Sequence, residues 1–157
     1  MSTRCTIKIK DPYTGAEYKI YRHCDGYPQG VLSDLKVLFD NGHRPLNDPE
    51  YFLANFIFLA KLSALKYAKK HNLMGMKSWL SGYGVCAKEC KHGDLEYKYT
   101  IYGRKKKYTI ETRIKIEKWD WEKNKWKTIF DGDIIDAFQI WADDPKGCHL
   151  REVLTYL

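Results

Sequence analysis

Hydrophobic and polar residues alternate with a period of two at the start of this chain and again from Leu95 to Phe130, with a helical period between these stretches and after them. Thr6 to Lys10 and Glu17 to Arg22 alternate, and Asp11-Pro12-Tyr13-Thr14-Gly15 between them carries turn residues, so the chain opens with a predicted hairpin. Between Val31 and Asn41 the apolar positions Val31, Leu32, Leu35, Leu38 and Phe39 fall at helical spacing, and Asn41-Gly42 supplies a stop. Asp48-Pro49 is an N-cap followed by proline at the first helical position, and it introduces a second helix from Glu50 to His71. Apolar residues cover much of that helix's circumference, which predicts a central core element. Lys69-Lys70-His71 suits the negative pole of its dipole.

After glycines at 75, 82 and 84 the period returns to two. Leu95, Tyr97, Tyr99 and Ile101 alternate with polar neighbours, as do Tyr108 through Glu117, and each run reads as a strand with one apolar and one charged face. Gly103-Arg104-Lys105-Lys106-Lys107 makes a basic tip between them. A further turn at Glu122-Lys123-Asn124-Lys125 leads to a strand from Trp126 through Phe130. Ile134, Ile135, Phe138 and Trp141 suggest a helix, and Leu150 to Leu157 a short final segment. The expectation is a single α+β domain over residues 1–157. An antiparallel sheet, built from the N-terminal hairpin and a C-terminal meander, is packed on one face by about three helices.

Composition narrows the class. A chain of 157 residues that is 44% hydrophobic and 30% charged can bury one sizeable core. No apolar run approaches the roughly 20 residues that span a bilayer, and Met1 to Lys10 lacks a signal-peptide stretch, so the expected location is the cytoplasm of the host cell, with no membrane partner. Five cysteines, Cys5, Cys24, Cys86, Cys90 and Cys148, lack the dense spacing of a secreted disulfide framework. The formal charge of +7 attracts a polyanion, most simply nucleic acid.

Candidate chemistry lies where polar residues break the patterns. In Arg22-His23-Cys24-Asp25-Gly26-Tyr27-Pro28-Gln29-Gly30 a strand ends and two titratable side chains stand two apart. His23 and Asp25 could bind a metal, orient a phosphate or exchange a proton, with Tyr27, Pro28 and Gln29 as a pocket loop. Turn chemistry accounts for Asp-Gly and Tyr-Pro equally well, but leaves His23-Cys24 without a role. In Gly93-Asp94-Leu95-Glu96-Tyr97-Lys98, an extended backbone puts Asp94, Glu96 and Lys98 on one face about 7 Å apart. Asp94 and Glu96 could hold Mg2+ or Mn2+ beside a developing phosphate charge, and Glu96-Tyr97-Lys98 has the spacing of the Glu-x-Lys element of restriction-type nucleases. A solvated charged face produces the same triplet, as Lys115 to Glu117 nearly does in reverse.

Cys86, Cys90 and His92, with His23 or Cys24, form a loose zinc-like set, though buried thiols packing as small apolar groups explain them more simply. Arg104, Lys105, Lys106 and Lys107, beside Tyr102 and Tyr108, could grip a phosphate backbone, or simply solubilise a hairpin end. Trp119, Trp121 and Trp126 read as a cross-strand cluster that holds the meander together. Nucleotide-hydrolysing motors and serine hydrolases are disfavoured by the lack of a Walker loop and of a Gly-x-Ser-x-Gly elbow.

The His23-Cys24-Asp25-Gly26-Tyr27-Pro28 segment resembles a His-x-Asp-Gly-Tyr-Pro element that follows the first hairpin in a set of small proteins of bacteriophages and archaeal viruses. Gly93 to Tyr99 resembles their second common segment, and together the likeness covers about half the chain. Among similar small viral proteins is a nuclease of an archaeal filamentous virus, an α+β protein of like size that cuts linear double-stranded DNA and depends on a glutamate. Glu96 matches that glutamate best and Glu89 second. The resemblance implies a viral or prophage protein acting on nucleic acid as a metal-assisted DNA phosphodiesterase. Glu96 and Asp94 would hold the ion, Asp25 or His23 would lie near the phosphate, and Lys98 with the basic tip would hold the strand. The alternative is a non-catalytic phage protein that binds a host defence protein or a nucleotide signal through the His23 to Gln29 loop.

Overall fold

The computed structural model describes residues 3–73, 82–87 and 92–142. Strands β1 (Cys5–Lys10) and β2 (Glu17–Arg22) pair antiparallel, as their alternation predicts. Their turn is fixed by Asp11, whose carboxylate accepts from Tyr13 N at 2.7 Å and from the Thr14 hydroxyl at 2.6 Å. These bonds, the Thr14 hydroxyl first, hold the Asp11 carboxyl below its ordinary value. Gly15 follows at φ 74°, which costs a residue without Cβ little.

Helix α1 (Pro28–Asp40) begins three residues before the apolar periodicity does, because Pro28 takes the first helical position after Tyr27. Helix α2 (Pro49–Lys70) is capped by Asp48, which accepts from Tyr51 N at 3.2 Å. The short β3 (Tyr83–Val85) pairs with the edge of β2; three residues are too few for periodicity to reveal. β4 (Tyr97–Lys105), β5 (Ile110–Asp120) and β6 (Lys125–Asp133) form the meander, and α3 (Ile134–Trp141) closes the described chain, capped by Asp133. The segment from Leu150 lies outside the described residues.

The fold is α+β, and the described residues form six strands in the order β3-β2-β1-β4-β5-β6 and three helices. One expectation needs correction: β1 and β4 pair in parallel, Ile7 opposite Tyr99. The long excursion through both helices returns the chain beside β1 in the same direction, as a parallel pair requires, and alternation says nothing of which strand becomes a neighbour. Cys5, Ile7, Ile9, Ile20, Tyr99, Ile101, Ile114 and Ile116 form the sheet's buried face against the helices. A second correction concerns which helix is central. α1 buries nine of its 13 residues and α2 seven of its 22, because α1 packs between α2, which lies over β2 and β3, and α3, which lies over β5 and β6. The sheet's other face has no helix on it among the described residues. No described helix is long and apolar enough to cross a membrane.

Candidate nucleic-acid interface on the open sheet face

Pairing register decides which polar residues meet on the open face. Thr6 lies opposite Lys98, Lys98 opposite Glu117, and Glu117 opposite Thr128, so four strands contribute to one row. The adjoining row runs Lys19, Lys8, Thr100, Lys115. A bulge then alters β6: Ile116 pairs with Phe130 but Glu117 with Thr128, leaving Ile129 as the extra residue. Trp126 and Phe130 would share a face on an unbroken strand. Instead Phe130 packs on Trp141 of α3, with ring centroids 5.5 Å apart, while Trp126 turns to the open side.

The result is a cavity of about 600 Å³. Lys8, Lys19 and Lys98 line it with Thr6, Thr100, Asn124 and Glu117, and Trp119, Trp121 and Trp126 form one end. Trp119 meets Trp126 edge to face at 5.2 Å and Trp121 at 6.1 Å, while Trp121 is 65% exposed and so keeps a free ring surface. The Lys98 ammonium sits 3.9 Å from the centroid of Trp126. Burial foremost, with Lys8 and Lys19 nearby, holds the Lys98 amine below its ordinary value; Glu117 opposes that shift. The indole beneath it also favours the charged form. Lys8 Nζ contacts Glu17 at 2.9 Å, and Lys115 Nζ contacts Glu117 Oε1 at 2.9 Å.

His92 stands at the rim, stacked on Tyr21 at 4.0 Å, with its Nε2 3.4 Å from the Cys86 Sγ. The Tyr21 hydroxyl in turn meets His23 Nδ1 at 2.8 Å. Cys90 lies outside the described residues, and among the described residues no three His, Cys, Asp or Glu side chains are placed to share a metal ion.

No protein-family model, curated protein or solved structure matches the chain. Asp94 and Glu96 do not line the cavity. The strand begins only at Tyr97, so the same-face spacing expected of Asp94, Glu96 and Lys98 does not extend back to Asp94, which lies in a turn and pairs with Arg4. Glu96 is half-buried, its backbone bonded to Arg4 and Trp119 at 3.0 and 2.9 Å. Lys98 alone of that triplet reaches the cavity.

The His23 to Gln29 segment forms a structural latch beside the sheet. Buried Arg22 donates to Cys24 O at 2.7 Å and to Asp34 at 2.7 Å, joining the end of β2 to the middle of α1. Asp25 takes φ 54°, Gly26 N donates to Thr3 O at 2.9 Å, and Gly26 O accepts from the Tyr99 hydroxyl at 2.7 Å. Pro28 is buried at the helix start, Gln29 is exposed, and none of His23, Asp25, Tyr27, Pro28 or Gln29 lines the cavity. The basic tip is remote as well. Arg104 and Lys105 end β4, roughly 20 Å along the strand from Lys98 at about 3.3 Å per residue. Lys106 there pairs with Glu111 at 3.3 Å, and Lys107 lies 5.0 Å from the Tyr108 ring.

Lys8, Lys19 and Glu117 were not singled out in the sequence, because alternating charges on a strand face look alike whether or not they converge. Trp119, Trp121 and Trp126 were legible as a cluster, but not as the wall of a cavity.

Proposed function

We propose that this protein binds nucleic acid on the open face of its sheet, with single-stranded segments as the preferred form. The observation that carries the reading is the convergence of Lys8, Lys19 and Lys98 with Trp119, Trp121 and Trp126 in one cavity. Ammonium groups attract phosphates and exposed indoles stack on bases, a combination suited to unpaired strands because a duplex hides its base faces. The chain's +7 charge supplies the long-range attraction.

Catalysis as a Mg2+- or Mn2+-assisted DNA phosphodiesterase has less support. Among the described residues Glu117 is the one carboxylate lining the cavity, and three ammonium groups beside it oppose a divalent cation. A site at Asp94 and Glu96 would have to free Asp94 from Arg4.

The test is titration of the protein with a fluorescently labelled single-stranded DNA, its RNA equivalent and the corresponding duplex, each with magnesium, manganese or chelator. Binding of the single strands that persists in chelator, favours them over duplex and weakens at least tenfold in Lys98→Ala supports the reading. Equal binding by Lys98→Ala and the native protein overturns it. Metal-dependent cutting lost in Glu96→Ala would establish the phosphodiesterase instead.

A further inference from the structure

Glu117 is the residue of the cavity that a general phosphate-and-base platform does not need. It adds a negative charge where the ligand is an anion, and Lys115 takes up only part of its acceptor capacity. Three features of its setting point to a base edge. The bulge that separates the pairing of Ile116 and Glu117 turns β6 so that Trp126 comes to the same side as Glu117, and Trp119 shares that face two residues along β5. Lys115 holds Oε1 at 2.9 Å, which fixes the carboxylate, and a carboxylate with about four acceptor positions still has room for further donors. Lys98, paired with Glu117 in register, is seated on Trp126.

Among the common bases, guanine alone presents two adjacent donors on its Watson–Crick edge, N1–H and the N2 amino group, and these match the two oxygens of a carboxylate. Adenine places an acceptor, N1, toward the same oxygens and is repelled. Cytosine offers one amino donor beside an acceptor, and uracil or thymine one N–H between two carbonyls. Hydrogen bonds to a charged acceptor are about twice as strong as neutral ones, so one carboxylate beside stacking indoles can discriminate.

We infer that the cavity selects guanine, with the base stacked among Trp119, Trp121 and Trp126, its N1–H and N2–H donating to Glu117, and its phosphates on Lys8, Lys19 and Lys98. This rests on the open face being a nucleotide-binding surface, and it specifies the ligand. The guanine could belong to a free nucleotide or to a strand.

Calorimetric titration with GTP, ITP and ATP separates the base from the phosphates, since all three carry the same triphosphate for the lysines. GTP should bind at least tenfold more tightly than ITP, which lacks the N2 amino group, and more tightly still than ATP. Glu117→Gln should abolish the preference for GTP over ATP, weakening GTP relative to ATP while ATP affinity holds or rises because a negative charge and the clash with adenine N1 are both removed, and Glu117→Asp should recover part of the preference, a pattern that a misfolded variant cannot produce. A parallel arm compares an oligothymidylate with the same strand carrying one central guanosine. A guanine effect in the strand but not with GTP assigns the site to nucleic acid, and the reverse assigns it to the free nucleotide. Equal affinity for GTP and ATP, together with equal affinity for the two strands, overturns the inference while leaving the binding surface intact. Absence of binding by every nucleotide and strand overturns both.

Discussion

The cysteines behave as opposites because of where they stand. Cys5 is fully buried under the helices, and burial pushes its thiol up to about 12 from an ordinary 9.0, while Cys24 is exposed at the end of the latch. Native protein at pH 8 should therefore lose Cys24 rapidly to a thiol-specific disulfide reagent and Cys5 only after denaturant is added; simultaneous modification of both would contradict the burial. The same shift has a sign for stability. A thiol whose folded value exceeds its unfolded value keeps its proton in the native state while the unfolded chain releases its own. That contribution is complete below pH 9.0 and is lost as pH rises through the window from 9.0 to about 12. Urea midpoints across this window should fall by the equivalent of about 1.4 kcal/mol per pH unit from Cys5, and partly buried Tyr83, whose phenol is also raised by desolvation, steepens the loss at the top. Cys5→Ala, although less stable overall, should show a shallower alkaline slope.

Elements meet through side chains that no periodicity announces. Arg22 occupies the core side of β2 in step with Tyr18 and Ile20, and it is neutralised from the second turn of α1 by Asp34, both nearly inaccessible. Removing one partner leaves the other charge buried and unpaired. Asp34→Ala should thus cost about 3–5 kcal/mol in urea unfolding, and Arg22→Met with Asp34→Leu markedly less than Asp34→Ala alone. A cost below about 1 kcal/mol for Asp34→Ala would mean that solvent reaches the pair. Gly30→Ala should be comparably damaging, because a Cβ there would stand 2.4 Å from the Asp25 carbonyl oxygen. These residues also mark how far the sequence could be read. Asp25-Gly26 and Tyr27-Pro28 were legible as turn and helix entry, since left-handed backbone and fixed φ leave compositional traces. The role of Arg22 was not, because a charge at the end of a strand looks solvated until its partner 12 residues away is placed beside it. All three expected helices and every long strand of the sheet were visible as periodicity. The bulge at Ile129 was invisible, and with it the turning of Trp126 and Phe130 to opposite faces, because one extra unpaired residue leaves the spacing of hydrophobic positions unchanged.

At the scale of the whole molecule the two sheet faces divide the work. Helices cover one, and the other carries positive charge along β1, β2 and β4, with a second basic group at the far end of β4. A strand seated only in the cavity touches Lys8, Lys19 and Lys98. For single strands each phosphate contact contributes about 0.7 to the slope of log affinity against log salt, so three contacts give a slope of roughly −2. A strand that also reaches Arg104, Lys105, Lys106 and Lys107 would make up to seven, for a slope near −5. The gap of roughly 20 Å corresponds to about six nucleotides of a strand that keeps the stacked spacing of about 3.4 Å, which makes length the variable that separates the two cases. Binding of a three-nucleotide strand and a twelve-nucleotide strand between low and moderate salt should then give slopes near −2 and clearly steeper, respectively. The double substitution Lys105→Ala with Lys107→Ala should flatten only the longer strand's slope, by about 1.4. If both lengths give the same slope and the double variant changes neither, the tip takes no part in binding and serves as a solvated hairpin end. If the tip variant flattens the short strand as well, the short strand binds at the tip, and the cavity would lose its claim to be the primary site.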